Sequence, residues 1–210
     1  MNEAVMVPGP LIIVSGPSGS GKSTVIRNIL RDPPRPLRLA ISATTRAPRQ
    51  GEVSGVHYYF WTEEHFLREL KAGGFLEHAR VHDQWYGTPR GEVDPYREKG
   101  IGVLLDIDVQ GAAQVRQLYP DHLSIFVYLS RWEMYEERIR QRGSETPERL
   151  QRRLETARRE LEQKDQYQYH ICNDHLDQAV AQFRDLLLQQ PAIGSRGNPK
   201  PQENHSCTTT

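Results

Sequence analysis

The segment Gly16-Pro17-Ser18-Gly19-Ser20-Gly21-Lys22-Ser23-Thr24 sets glycines, a lysine and hydroxyls at the spacing G-x-x-x-x-G-K-S. Glycines let successive backbone N–H groups turn inward around an anion. At this spacing Lys22 reaches the β- and γ-phosphates of a nucleoside triphosphate, and the Ser23 hydroxyl is placed to ligate Mg²⁺. The apolar run 11–14 before it reads as a buried strand, and a helix over 22–30 aims its positive end at the phosphate. A plain strand-to-helix turn has no use for Lys-Ser after its last glycine.

A second set of chemically able residues lies between Ser42 and Thr88. Arg46 and Arg49 stand three residues apart beside prolines, and two guanidinium forks suit one phosphate dianion. Tyr58 and Tyr86 offer hydroxyls, each beside a short strand. Glu77 stands in an otherwise apolar stretch, where a carboxylate is the natural partner for the N1–H and 2-amino donors of guanine. Adenine offers no such pair. The plain alternatives are solvated arginines, packing tyrosines and a glutamate pointing outward on the alternate face of a strand. Asp106 and Asp108 follow the continuous apolar run 101–105, a strand buried on both faces. An acid at the carboxyl end of such a strand sits in the crevice of an open α/β sheet, where it can hold a Mg²⁺-bound water or cap the next turn. Arg138 and Arg142 lie four apart on one helix face, as do Arg149 and Arg153.

The elements that must position these residues alternate strand and helix, which argues for a parallel sheet with crossover helices. Strands are expected over 11–14, 37–42, 57–61, 75–81, 85–87, 101–105, 124–129 and 170–172, with 57–61 an edge or hairpin strand and 75–87 antiparallel. Helices are expected over 22–30, 62–71 with Thr62 as cap and Gly73-Gly74 as stop, 112–118, 132–142, 146–164 and 176–189. Leu150, Leu154, Ala157 and Leu161 place a narrow apolar stripe on the 146–164 helix. The stretch 191–210 is polar and aperiodic, so it is expected to be a disordered tail.

The chain of 210 residues fits one domain with inserted lobes. With 27 basic and 27 acidic side chains its formal net charge is zero, so no global field favours nucleic acid or a membrane. Charge is nevertheless uneven: 31–49 holds five arginines against Asp32 alone, and 131–159 holds nine arginines against six glutamates. Local basic clusters in a neutral chain suit small anionic ligands. Two cysteines, Cys172 and Cys207, make no disulfide framework, which with the lack of a leader or membrane span points to a reduced, cytoplasmic setting.

Taken in order, Ser-x-Thr-Thr-Arg-x-x-Arg-x-Gly-Glu from Ser42, Gly-x-x-Tyr-x-Phe, Phe-Leu-Glu77, Tyr86-Gly-Thr88 and Asp106-Ile-Asp-x-Gln-Gly resemble guanylate kinase of the bacterial or general cellular type. The resemblance spans about 10–190. It implies a P-loop nucleoside monophosphate kinase fold, with a parallel-sheet core, an inserted GMP-binding lobe over about 43–94 and a helical lid over about 138–156. Residues 1–9 would be an extension and 191–210 a tail without catalytic role. The implied activity is phosphoryl transfer from ATP to GMP with Mg²⁺. Carried over by position, Ser42, Arg46, Arg49, Tyr58, Glu77, Tyr86, Thr88 and Asp108 hold GMP. Within that set Arg46, Arg49 and the tyrosines take the phosphate, and Ser42, Glu77 and Thr88 read the base. ATP falls to the loop 16–24, Arg138 and Asn173. Lys22, Arg49, Arg142 and Arg153 act on the transferring group, and Ser23 and Asp106 face the metal. His78 and Val109 depart from the usual pattern as packing changes, and Leu129-Ser-Arg-Trp132 departs from the usual proline-containing turn at the entry to the lid helix. Two other classes share the outline: a related kinase acting on a ribose phosphate, and a non-catalytic module that binds phosphopeptides. The base-reading set argues against the first and the complete phosphate loop against the second.

Overall fold

In the computed structural model, described for residues 7–81, 83–141 and 147–189, the chain forms two sheets. The larger has five strands in the order β2-β7-β1-β8-β9, all parallel. They are β1 (Leu11–Ser15), β2 (Leu37–Leu39), β7 (Gly102–Asp106), β8 (Leu123–Tyr128) and β9 (Tyr169–Cys172). β1 is central and wholly buried. Its alternate residues feed two cores: Ile12 and Val14 pack with Val25, Ile29, Ile125 and Phe183, while Leu11 and Ile13 pack with Val103, Leu105, Ala112 and Val115. The first core is closed by α1 (Lys22–Arg31) and α7 (Leu176–Gln189), the second by α4 (Val109–Leu118). Val14 pairs in register with Asp106, so the loop after β1 and the acids after β7 emerge side by side at the carboxyl edge of the sheet.

The smaller sheet runs β4-β3-β6-β5: β4 (Tyr59–Phe60), β3 (Ala43–Thr44), β6 (Gln84–Pro89) and β5 (Phe75–Val81). β5 and β6 are antiparallel, as expected. β4 is an edge strand but pairs parallel to β3, so it is not half of a hairpin. Helix α2 (Glu63–Lys71) begins where Thr62 Oγ1 accepts from His65 N, the expected cap. Phe66 stacks on Phe75 at 4.4 Å to give this sheet its own apolar centre.

β2 is shorter than the expected 37–42. Ala40 N still bonds to Leu104 O at 2.9 Å, but Ile41 N turns to Glu92 Oε2 at 3.1 Å and the chain leaves the main sheet for the smaller one. Glu92 also accepts from Arg38 at 2.5 Å and from Tyr59 OH at 2.8 Å, tying the two sheets together. It lies in a 3-10 turn (Arg90–Glu92) before the short helix α3 (Asp94–Arg97); neither was expected from the sequence. Helix α5 (Trp132–Gln141) and helix α6 (Pro147–Leu161) follow, with Arg158 stacked over Trp132 at 4.6 Å. α6 ends three residues before the expected 164, in a second 3-10 turn (Lys164–Gln166). Residues 1–6, Arg142 and the tail with Cys207 lie outside the described residues. Among the described residues no helix is long and apolar enough to cross a membrane.

Candidate active site

The phosphate loop is held from below. Gly21, the residue before α1, has φ of 81°, a left-handed conformation that glycine adopts without strain. A Cβ there would also collide with the Asn173 amide and come within 3.1 Å of Arg138 Nη1. Both neighbours brace the loop: Asn173 Nδ2 donates to Ser20 O at 2.7 Å, and Arg138 Nη2 donates to Asn173 O at 3.1 Å. On the open side Arg153 Nη2 donates to Ser18 Oγ at 2.8 Å, and Ser18 N donates to Glu160 Oε2 at 3.2 Å. Lys22 Nζ lies 2.5 Å from Asp106 Oδ1, and Ser23 Oγ donates to Asp106 Oδ2 at 3.3 Å. Burial works against the charge on Lys22, but the Asp106 carboxylate outweighs it and raises the lysine pKa above its ordinary value.

The base side is built around Glu77. It is 4 % exposed, so it does not point outward from its strand. Thr88, paired with it in the β5–β6 register, donates its hydroxyl to Glu77 Oε1 at 2.6 Å, and Ser42 Oγ lies 3.3 Å from Thr88 Oγ1. Burial pushes the Glu77 carboxyl up to about 7, against the hydrogen bond from Thr88 and with a further push from Asp108. Asp108 Oδ1 accepts from Gln110 N at 2.9 Å and Gly111 N at 2.8 Å, so it caps α4 while also lining this site.

Two cavities open on these groups. One, of about 590 Å³, is lined by the loop residues 16–23 with Arg49, Arg152, Arg153 and Glu160. The other, of about 280 Å³, is lined by Ser42, Tyr58, Glu77, Tyr86, Asp106 and Asp108 among others. Lys22, Ser23, Val81 and Glu160 line both.

Most of the residues singled out from the sequence therefore meet here, but not all in the expected place. Arg49 is exposed and lines the phosphate-loop cavity, not that of Glu77. Arg46 lines neither; it forms a two-pronged pair with Glu52 at 2.6 and 2.7 Å and lies over Tyr58, 5.1 Å from its ring centre. Asn173 and Arg138 brace the back of the loop. Tyr58 and Tyr86 meet edge to face at 6.0 Å. Three contributors were not foreseen. Glu52 also accepts from Arg49 N at 2.7 Å, and its hydrogen bonds, led by Arg46, pull its carboxyl down to about 2. Its only signal was its place in the Gln-Gly-Glu run after Arg49. Glu160 sits between the cavities with its pKa raised by burial, with no signal beyond lying on a charged helix, and Arg152, within the expected lid segment, lines the loop cavity.

Comparisons with known proteins point to one family. The protein-family model described as guanylate kinase matches residues 9–190. A guanylate kinase of Symbiobacterium thermophilum is 45 % identical over 184 residues, covering 88 % of this chain and 87 % of that protein. One from a Synechococcus strain is 44 % identical over 186 residues, covering 89 % and 85 %. The crystal structure of guanylate kinase from Anaplasma phagocytophilum superposes with a TM-score of 0.72 at 29 % identity, covering 90 % of each chain. With a family match running from just before β1 to the end of α7, this chain belongs to the guanylate kinase family.

Proposed function

We propose that this chain transfers the γ-phosphoryl group of ATP to GMP, giving ADP and GDP. The observation that carries this is the shared wall: Lys22 and Ser23 line both the loop cavity and the cavity of Glu77. A donor cradled by the loop and an acceptor whose base reaches Glu77 then meet at Lys22.

In this reading the ionised Glu77 accepts from guanine N1–H and the 2-amino group, with Ser42 and Thr88 completing the base set and Asp108 beside it. Arg46, Arg49, Tyr58 and Tyr86 take the GMP phosphate. The loop 16–24 takes the ATP phosphates, and Arg138 and Asn173 lie on the adenosine side. An oxygen of the GMP phosphate attacks the γ-phosphorus in line; a new P–O bond forms as the bond to the β–γ bridging oxygen breaks and ADP leaves. The acceptor oxygen is already ionised, so no general base is needed. The protein's work is positioning and charge neutralisation by Lys22, Arg49, Arg142 and Arg153.

Mg²⁺ arriving with ATP fits the Ser23 hydroxyl and the Asp106 carboxylate, two neighbouring oxygen donors at the loop, since this ion keeps most of its waters and needs only one or two protein oxygens. When bound there it would supply charge neutralisation on the ATP phosphates. For Lys22 to swing to those phosphates it must loosen its hold on Asp106. The lobe 43–94 and the lid 138–156 close over both substrates and exclude water, which would otherwise accept the phosphoryl group. Phosphorus NMR of an ATP and GMP mixture tests the reaction: ADP and GDP should appear in equal amounts. ADP without GDP would overturn the assignment.

A further inference from the structure

We propose that Gly111, fixed by Gln114, is the positioning residue that seats the Glu77 carboxylate in the acceptor cavity. Gly111 is the third residue of α4 and is buried. Its backbone is ordinary: it is not among the glycines with positive φ. Alanine is the better helix former at such a position, so neither backbone geometry nor propensity explains a glycine. Glu77 does. A Cβ built at Gly111 meets three atoms first, and all belong to that one side chain. It would collide with Oε2, lie 2.9 Å from Cδ and lie 3.4 Å from Cγ.

The helix has no room to back away from the strand. One turn on, Gln114 Nε2 donates to His78 O at 2.6 Å, and its Oε1 accepts from His78 N at 3.2 Å. This double hydrogen bond clamps α4 to the residue following Glu77. At the helix start, Gly111 N donates to Asp108 Oδ1, so the same residue adjoins Glu77 and Asp108, two of the acids that line the cavity. The clearance left by the missing side chain is the seat of the carboxylate. Any side chain at 111 must displace Glu77, because the clamp prevents the helix from yielding.

The inference rests on Glu77 reading guanine, so the test separates the two. Gly111→Ala, Glu77→Ala and the double variant are compared by steady-state kinetics and thermal unfolding. Gly111→Ala should raise KM for GMP about 10- to 100-fold, the equivalent of losing about one charge-assisted hydrogen bond, with KM for ATP within about twofold. In the Glu77→Ala background the same substitution should leave KM for GMP unchanged and should not lower Tm, because the collision is gone. A folded Gly111→Ala protein with KM for GMP within about twofold of the parent overturns the inference. So does a Tm loss at position 111 that is the same with and without the Glu77 side chain. If Glu77→Ala itself leaves KM for GMP unchanged, the base-reading assignment has failed. The Tm cycle then decides the steric claim alone, and additive losses refute it.

Discussion

Glu77 is a carboxylate kept where it is costly to ionise, and replacing it with glutamine should expose that cost. Its pKa is raised from an ordinary 4.5 to about 7, mainly by burial. An acid whose folded pKa lies above its unfolded value supports the fold fully below the unfolded pKa and loses that support as pH rises through the folded one. The gap corresponds to about 3 kcal/mol, withdrawn between roughly pH 4.5 and pH 7. Glutamine is neutral throughout and its amide oxygen can still accept from Thr88. Glu77→Gln should therefore be the more stable protein at pH 8, by up to about 3 kcal/mol or roughly 6–12 °C in Tm, with the difference fading below about pH 5. Function should move the other way. The glutamine amide turns a donor toward donors of the base, so kcat/KM for GMP should fall about 10²-fold with KM for ATP nearly unchanged. KM for GMP of the parent protein should improve as pH rises through about 7, and the variant should lose that dependence. Differential scanning calorimetry and coupled kinetics at several pH values read all of this. A Tm difference that is flat in pH, or GMP kinetics unaltered by the substitution, would refute the reasoning.

Lys22→Ala should lower the rate of transfer about 10²- to 10³-fold, the loss of one charge-stabilising group worth roughly 3–4 kcal/mol, with Tm little changed; near-parental turnover in a single-turnover assay would count against the phosphate loop. Arg49→Ala should weaken GMP binding and slow transfer while ATP affinity holds. Because Arg49 lines the loop cavity, calorimetric titration showing the reverse pattern would move it to the donor side. Glu52→Gln should raise KM for GMP about 10-fold by releasing Arg46 from its two-pronged partner. An unchanged KM would mean that Arg46 needs no such holding.

What the sequence made legible was what lies close together along the chain. The loop 16–24 is contiguous, the Thr62 cap acts over three residues, and Glu77 stood out as an acid in an apolar stretch. The central strands were plain because burial on both faces leaves unbroken apolar runs. The misses share a cause. β3 is two residues long and is a strand only because β4 and β6 lie on either side of it. The α4 helix begins at Val109, not 112, because Asp108 folds back to cap it. The pairing of Arg46 with Glu52, the bond from Ser18 to Glu160 and the approach of Gly111 to Glu77 are all set by how elements pack. No periodicity in the chain encodes them.

The most direct test of the central claim is a competition among acceptors. ADP formation from ATP is measured with GMP, AMP, UMP and ribose 1,5-bisphosphate, each over a range of concentrations under identical conditions. The expected result is that GMP has a kcat/KM above AMP and UMP by about 10²-fold or more, the discrimination available to a buried carboxylate that pairs with guanine, and that ribose 1,5-bisphosphate is not phosphorylated. Comparable turnover of AMP, or preference for the sugar phosphate, would contradict it.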